Sequence, residues 1–225
     1  MGMAVRWAMI TAIPMRIDHL LVLTQWLSPA YPVGAFAWSH GLERAVGRGD
    51  VSDAVSLSDW MHAVLTKGAG RSDAILLCAA YGADDAGPIA ELAAALAPSR
   101  ERQMETLQQG AAFAATTRAV WDIDLPDMAY PVAVGQAAKR IGLPLEPVVQ
   151  VWLQAFISNL VQCAQRLLPL GQTAGQQILQ GLSPAIIDVG QQALTASLDD
   201  IGSATFAVDT ASMQHKAQYA RIFRS

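Results

Sequence analysis

Cysteine, histidine and charge are all scarce in this chain, and each scarcity removes a class of function. Cys78 and Cys163 are the only cysteines, each set in an apolar run far from the other. A disulfide framework is therefore not expected, and two thiols cannot complete a zinc site without further ligands. Both are read as core residues of a protein from a reducing cytoplasm. The four histidines, His19, His40, His62 and His215, are scattered, so no metal cluster follows from local spacing. Charged residues make up 15% of the 225, well below the usual share, while hydrophobic residues reach 52%. So few charges imply a surface partly covered by other subunits or partners. The net charge of −4 lacks the basic footprint of a nucleic-acid binder and argues against an anionic membrane surface.

Nucleotide and hydrolase signatures are missing too. There is no Gly-x-x-x-x-Gly-Lys-Ser/Thr loop, no Gly-x-Gly-x-x-Gly and no His-Glu-x-x-His. The segment from Met1 to Pro14 lacks the long apolar run and the small-residue cleavage site of a signal peptide, so residues 1–16 are read as a mobile extension. The longest stretch without charge, Pro147 to Gln165, approaches membrane-spanning length. Gln150, Gln154, Ser158, Asn159 and Gln162 interrupt it, and a buried central helix is the expectation.

What the chain does have is helical periodicity almost throughout, with no convincing strand alternation, hairpin dipeptide or solenoid repeat. One all-α domain over residues 17–225, a bundle of roughly ten helices, follows. Helices are predicted from Ile17 to Leu27, from Phe36 to Val46 and around Leu57 to Leu65. Others are placed from Asp73 to Tyr81 after a break at Gly68–Gly70, from Ile89 to Leu96 and from Ser99 to Trp121. After an aspartate-rich loop, Pro131 opens another, and Gly142-Leu143-Pro144 separates it from the central one, which ends near Leu168. Two more are predicted from Thr173 to Gln180 and from Ser183, as cap, to Ser197, and a last one from Asp209 to Tyr219.

Three local patterns bear on function. Ala37-Trp38-Ser39-His40-Gly41 looks like a degraded nucleophile elbow. The elbow needs a strand before it, and here a proline loop precedes it, so a packed helix start serving a partner surface is preferred to a serine hydrolase. His40 and Glu43, three apart, share one helix face, a geometry that occurs in di-metal bundles. No second carboxylate set accompanies them, which favours a hydrogen-bonded pair over metal ligation. The C-terminus, His215 to Ser225, has no acidic residue and interleaves Tyr219, Ile222 and Phe223 with Arg221 and Arg224. Those are interface-anchoring types, and a tail that orders on a partner is preferred to one folded on its own core.

Taken together, several segments resemble the urease accessory protein family UreF. They are Ser28-Pro29-Ala30-Tyr31-Pro32-Val33-Gly34-Ala35-Phe36 followed by Ser39-His40-Gly41-Leu42-Glu43, then Arg71-Ser72-Asp73, then Pro169-Leu170-Gly171-Gln172. Asp200-Ile201-Gly202-Ser203-Ala204-Thr205 and the His215–Ser225 ending complete the set, collinear over about Ile17 to Ser225. The resemblance implies a homodimeric, all-α, non-enzymatic scaffold. Its partners would be a UreD (UreH) accessory protein, the GTPase UreG and apo-urease, during GTP-dependent nickel insertion. No catalytic residue, metal ligand or cofactor is implied; a serine hydrolase or an independent nickel-binding chaperone are the alternatives.

By the same resemblance, His215, Gln218, Tyr219, Arg221, Phe223 and Arg224 would order against the UreD-type protein. Pro29, Pro32, Gly34 and Phe36, with Ser39, His40 and Glu43, would form a dimer or GTPase-facing surface. Arg166, near the Gly171-Gln172 turn, sits where the family carries a basic residue considered for GTPase modulation, with a solvent-facing helix-end cation as the plain alternative. The chain departs from the family at Lys216, where a glutamate is usual, and at Phe206, where a proline is usual.

Overall fold

The computed structural model describes residues 16–224, and the extension predicted for 1–16 falls outside that range except for Arg16. Among the described residues there are ten α-helices and no strand. In chain order they are α1 (Ile17–Trp26), α2 (Leu42–Arg48), α3 (Ala54–Lys67), α4 (Ala69–Gly82), α5 (Gly87–Ala95), α6 (Arg100–Trp121), α7 (Tyr130–Ile141), α8 (Leu145–Leu167), α9 (Gln172–Thr195) and α10 (Phe206–His215). Short 3₁₀ turns lie at Ala35–Ala37 and Leu198–Asp200.

Local chemistry sets many of these boundaries. Asp53 Oδ1 accepts from the Ser56 amide at 2.8 Å while Ser56 Oγ accepts from the Asp53 amide at 3.1 Å, a reciprocal cap that starts α3. Ser99 caps α6 by accepting from Arg102 N at 3.1 Å. Gly142, at φ 72°, closes α7 in the left-handed conformation that glycine adopts without cost.

The uncharged stretch became α8, the central helix. It buries Val148, Val149, Trp152, Leu153, Ile157, Leu160, Val161, Cys163 and Ala164. Each large apolar side chain so buried contributes roughly 1.5–3 kcal/mol. Among the described residues no helix is long and apolar enough to cross a membrane. α7 is buried continuously from Pro131 to Ala138, lies along α4, and is small where the two touch. A Cβ on Gly135 would strike the carbonyl oxygen of Leu77. Cys163 is buried and Cys78 partly so, both unpaired, and burial pushes each thiol up to about 12.

Four predicted boundaries are corrected. The Phe36–Val46 helix is interrupted, because His40 (φ 58°) and Gly41 (φ 79°) are left-handed and no α-helix continues through them. α4 begins at Ala69, not Asp73. Gly68 alone separates it from α3, and Gly70 is a packing residue, since a Cβ there would lie 2.8 Å from Leu65 Cα. The two helices predicted from Thr173 to Ser197 are one, α9, with Pro184 inside it. Ser183 is not a cap; its hydroxyl donates back to Leu179 O at 3.2 Å, the carbonyl one turn earlier. The last helix starts earlier and stops at His215, where the side chain is fastened to Glu43 and the chain turns back.

Opposite outcomes are expected for two Gly→Ala changes. At Gly110 in α6 a Cβ would overlap the Met128 carbonyl oxygen, and Gly110→Ala should cost about 3 kcal/mol. Gly181 in α9 has open space, and Gly181→Ala should gain up to about 1 kcal/mol. Urea unfolding of both variants checks this.

Candidate functional site

Four of the five signature segments, distant in sequence, meet in pairs. The first junction is built on the loop between α1 and α2. Tyr31 anchors it below, its hydroxyl 2.8 Å from Thr117 Oγ1 of α6. Above, four successive backbone carbonyls are each held by a donor from elsewhere. Ala35 O accepts from Asn159 Nδ2 at 3.1 Å, Phe36 O from Arg166 Nη1 at 2.8 Å, Ala37 O from Arg224 N at 2.8 Å, and Trp38 O from Cys163 Sγ at 3.3 Å. Three of these donors come from α8 and one from the C-terminal tail. Fixed from four directions, the turn presents the Phe36 ring outward, 70% exposed.

The next residues bind the tail. Ser39 Oγ accepts from Glu43 N at 3.3 Å and helps start α2. Gly41 is required twice over: its φ is 79°, and a Cβ would stand 2.7 Å from Ser212 N of α10. Glu43 is 5% exposed. Its carboxylate lies 2.9 Å from His215 Nε2 and accepts from Ile222 N at 2.7 Å and Phe223 N at 3.0 Å. Phe223 is buried, and the Arg166 guanidinium sits 4.3 Å from its ring centroid. Arg166 thus joins the tail to the Phe36 turn.

The second junction pairs Arg71-Ser72-Asp73 with the 200–205 segment. Arg71 Nη1 donates to Asp200 O at 2.5 Å, Ser72 Oγ to Gly202 O at 3.4 Å, and Ala204 N to Lys67 O at 2.9 Å. Asp73 faces inward, 3.7 Å from Arg102 Nη2. Arg102 also pairs with Glu105, which lies 3.9 Å from His40 Nδ1 and takes a hydrogen bond from Gln109 at 3.3 Å. Burial, reinforced by Arg102, holds the His40 imidazole well below its usual range. Burial pushes the Asp73 carboxyl up to about 6, against the opposing pull of Arg102.

The fate of each predicted residue follows. The tail, expected to gain its order on a partner, lies here along its own chain, with His215 and Phe223 in the interior. Ser39 and His40 are likewise buried, and Glu43 is turned to the tail rather than paired with His40. The elbow geometry is absent, because Ser39 sits in a buried loop with no strand before it. Among the described residues no group of three His, Cys, Asp or Glu is placed to hold a metal. Pro29, Pro32, Tyr219, Arg221 and Arg224 are exposed, Gly34 and Gln218 partly so. Gly171 and Gln172 form an exposed corner between α8 and α9, where Gly171 O accepts from Gln165 Nε2 at 3.2 Å. Arg166 is not a free helix-end cation.

Sequence reasoning missed Asn159 and Cys163 as clamps on the turn, and Arg102 with Glu105 as a buried pair. Asn159 did signal itself, as a polar residue in an apolar helix. Arg102 and Glu105 did not, because charges in the first turns of a helix normally face solvent.

The UreF family model matches residues 51–183. The chain is 48% identical to the urease accessory protein UreF of Roseobacter denitrificans over 213 residues, covering 94% of this chain and 96% of the relative. It is 51% identical to that of Rhodopseudomonas palustris, with 92% of both chains covered. It is 52% identical to that of Cereibacter sphaeroides, with 92% of this chain and 98% of the relative covered.

Two measurements test the junctions. Removing the Glu43 carboxylate strands three donors, so Glu43→Ala should cost about 3–5 kcal/mol. In hydrogen exchange, the Ile222 and Phe223 amides should lose protection before the α7 and α8 amides do. At Asp73 the folded value, about 6, lies above the unfolded one, so the folded chain takes up this proton first. Its charge therefore opposes folding at pH 7, and that penalty fades as pH falls through 6. Asp73→Asn should be stabilising at pH 7.5, with a gain that shrinks toward pH 5 in chemical denaturation.

Proposed function

The chain belongs to the UreF family of urease accessory proteins, and on that premise we propose that it is a non-catalytic scaffold for urease maturation. It holds a UreD (UreH)-type protein and a UreG-type GTPase together on apo-urease during GTP-dependent delivery of nickel. It does so in the cytoplasm, as a homodimer. The nickel is cargo in this account, and the chain's own contribution is shape.

One observation carries the reading: hydrogen bonds gathered around the buried Glu43 carboxylate and the end of α8 hold exposed apolar side chains in fixed positions. Glu43, Arg166, Asn159 and the tail amides are spent on holding backbone. The side chains they leave outward are Phe36 and Ile222, 70% and 60% exposed, with Tyr219 fully exposed nearby in the tail. Large apolar groups held rigidly at a surface lose little entropy on binding, which is what interface anchors require.

The same frame assigns Arg166 a role. Its guanidinium is engaged by the Phe36 carbonyl and the Phe223 ring, so it acts on the GTPase by shaping the docking surface rather than by reaching a phosphate. Arg166→Lys keeps the charge but loses the planar contact, and it should weaken partner binding nearly as much as Arg166→Ala.

The test is co-purification with the UreD-type and UreG-type partners, using full-length chain, a truncation after Gln218 and Phe36→Ala. Both variants should stay helical by circular dichroism and lose at least one partner, by about tenfold or more in affinity. Retention of both partners by both variants would move the docking surface elsewhere and sink this assignment.

A further inference from the structure

Behind the Phe36 turn lies a cavity of about 120 Å³ that the scaffold role leaves unused. It opens between the 28–36 loop and helices α1, α6, α7 and α8, and its walls are aromatic: Trp26, Tyr31, Tyr130, Trp152 and Phe156. Trp152 and Phe156 stack in parallel, 5.6 Å apart and 5° from coplanar. Trp26 and Trp152 are only 1% and 2% exposed, yet neither indole N–H has an acceptor among the described residues. A buried donor without an acceptor is rare and costs stability, so two on the wall of one cavity call for a cause. On the α6 side the cavity meets Glu105 and Gln109. Of the residues lining it, Glu105 alone carries a charge, and no lysine or arginine is among them.

These features define a ligand. Flat aromatic walls select a planar ring, which stacks on them. The indole N–H groups require an acceptor such as a carbonyl or ring nitrogen, and the Glu105–Gln109 end accepts a donor. Arg102 pairs with Glu105 from outside the lining, and with no basic group on the lining itself an anion finds no partner there. At about 120 Å³ the cavity is somewhat smaller than the apolar cavity of about 150 Å³ that admits benzene, so a ring seats here with part of the ligand projecting through the opening to solvent. We propose that this cavity is a binding site for a neutral, single-ring aromatic amide or azole. The ring lies against Trp152, its acceptor is held by the Trp26 and Trp152 indoles, and its donor points to Glu105. The site adjoins the proposed docking surface, since Pro29, Phe36 and Asn159 also line it, and binding there would brace the loop that carries Phe36 from behind.

Benzamide and benzoate, equal in shape and opposite in charge behaviour, are the probes. The chain has six tryptophans, so its ¹H–¹⁵N spectrum should show six indole signals, with those of Trp26 and Trp152 assigned from Trp26→Phe and Trp152→Phe. Benzamide should shift these two saturably and leave Trp38 and Trp60 unmoved, and benzoate should bind about tenfold more weakly or not at all. Ala155→Leu fills the cavity and should weaken benzamide by about tenfold. Ser158→Leu serves the same purpose should the first variant fail to fold. No saturable shift, equal shifts from benzoate, or binding untouched by both filling variants would overturn the proposal and leave water as the partner of the indoles.

Discussion

The arrangement at the candidate surface depends on one buried carboxylate. Glu43 gathers His215 and the Ile222 and Phe223 amides, so one side chain of α2 makes three of the contacts that hold the tail. Hydrogen bonds to a charged acceptor are the strong ones, and in the interior they are not screened by solvent. Much of the nearby backbone is bent to make room for this contact. His40 and Gly41 are left-handed, and Gly41 lets α10 approach to within a distance that a side chain would forbid. With the tail in place, Phe223 meets Arg166 and Arg224 N meets Ala37 O, so the Phe36 turn and the tail become one body.

The second junction follows the same logic with different chemistry. Arg71 and Ser72 hold the carbonyls of the 200–202 segment, and this positions the start of α10. Beneath it, Arg102 faces two carboxylates, Glu105 and Asp73, with His40 close by. Such a group adds little net stability over an apolar replacement, because desolvation offsets attraction, but loss of Arg102 would leave two buried carboxylates without their cation. Its physical effect is to fix how α4, α6 and the His40 loop sit relative to one another.

Much of the helical architecture could be read from residue patterns. Apolar periodicity and turn residues located α3, α6, α7 and α8 closely, and the five polar residues in the uncharged stretch marked it as a buried central helix. Where the pattern misled, a second force had intervened. Gly70 and Ser183-Pro184 look like breaks, but Gly70 is there for close packing and Pro184 is tolerated inside a long packed helix. The left-handed residue His40 split a segment whose composition reads as one helix, because nothing in its local chemistry signals positive φ.

The sequence by itself determined the fold class, the position of most helices and, through five collinear signatures, the family. These rest on local periodicity and on residue identity, which the linear chain carries in full. Only the tertiary structure decided that the signatures are halves of contacts: Glu43 with the tail, Arg71 with the 200–202 carbonyls, Arg166 with both Phe36 and Phe223. Which side chains are spent on holding backbone and which are left outward depends on how segments more than a hundred residues apart approach in space. No local pattern encodes that distance, and so the outward-facing Phe36 and the inward-facing Glu43, seven positions apart in one signature, could not be told apart before folding.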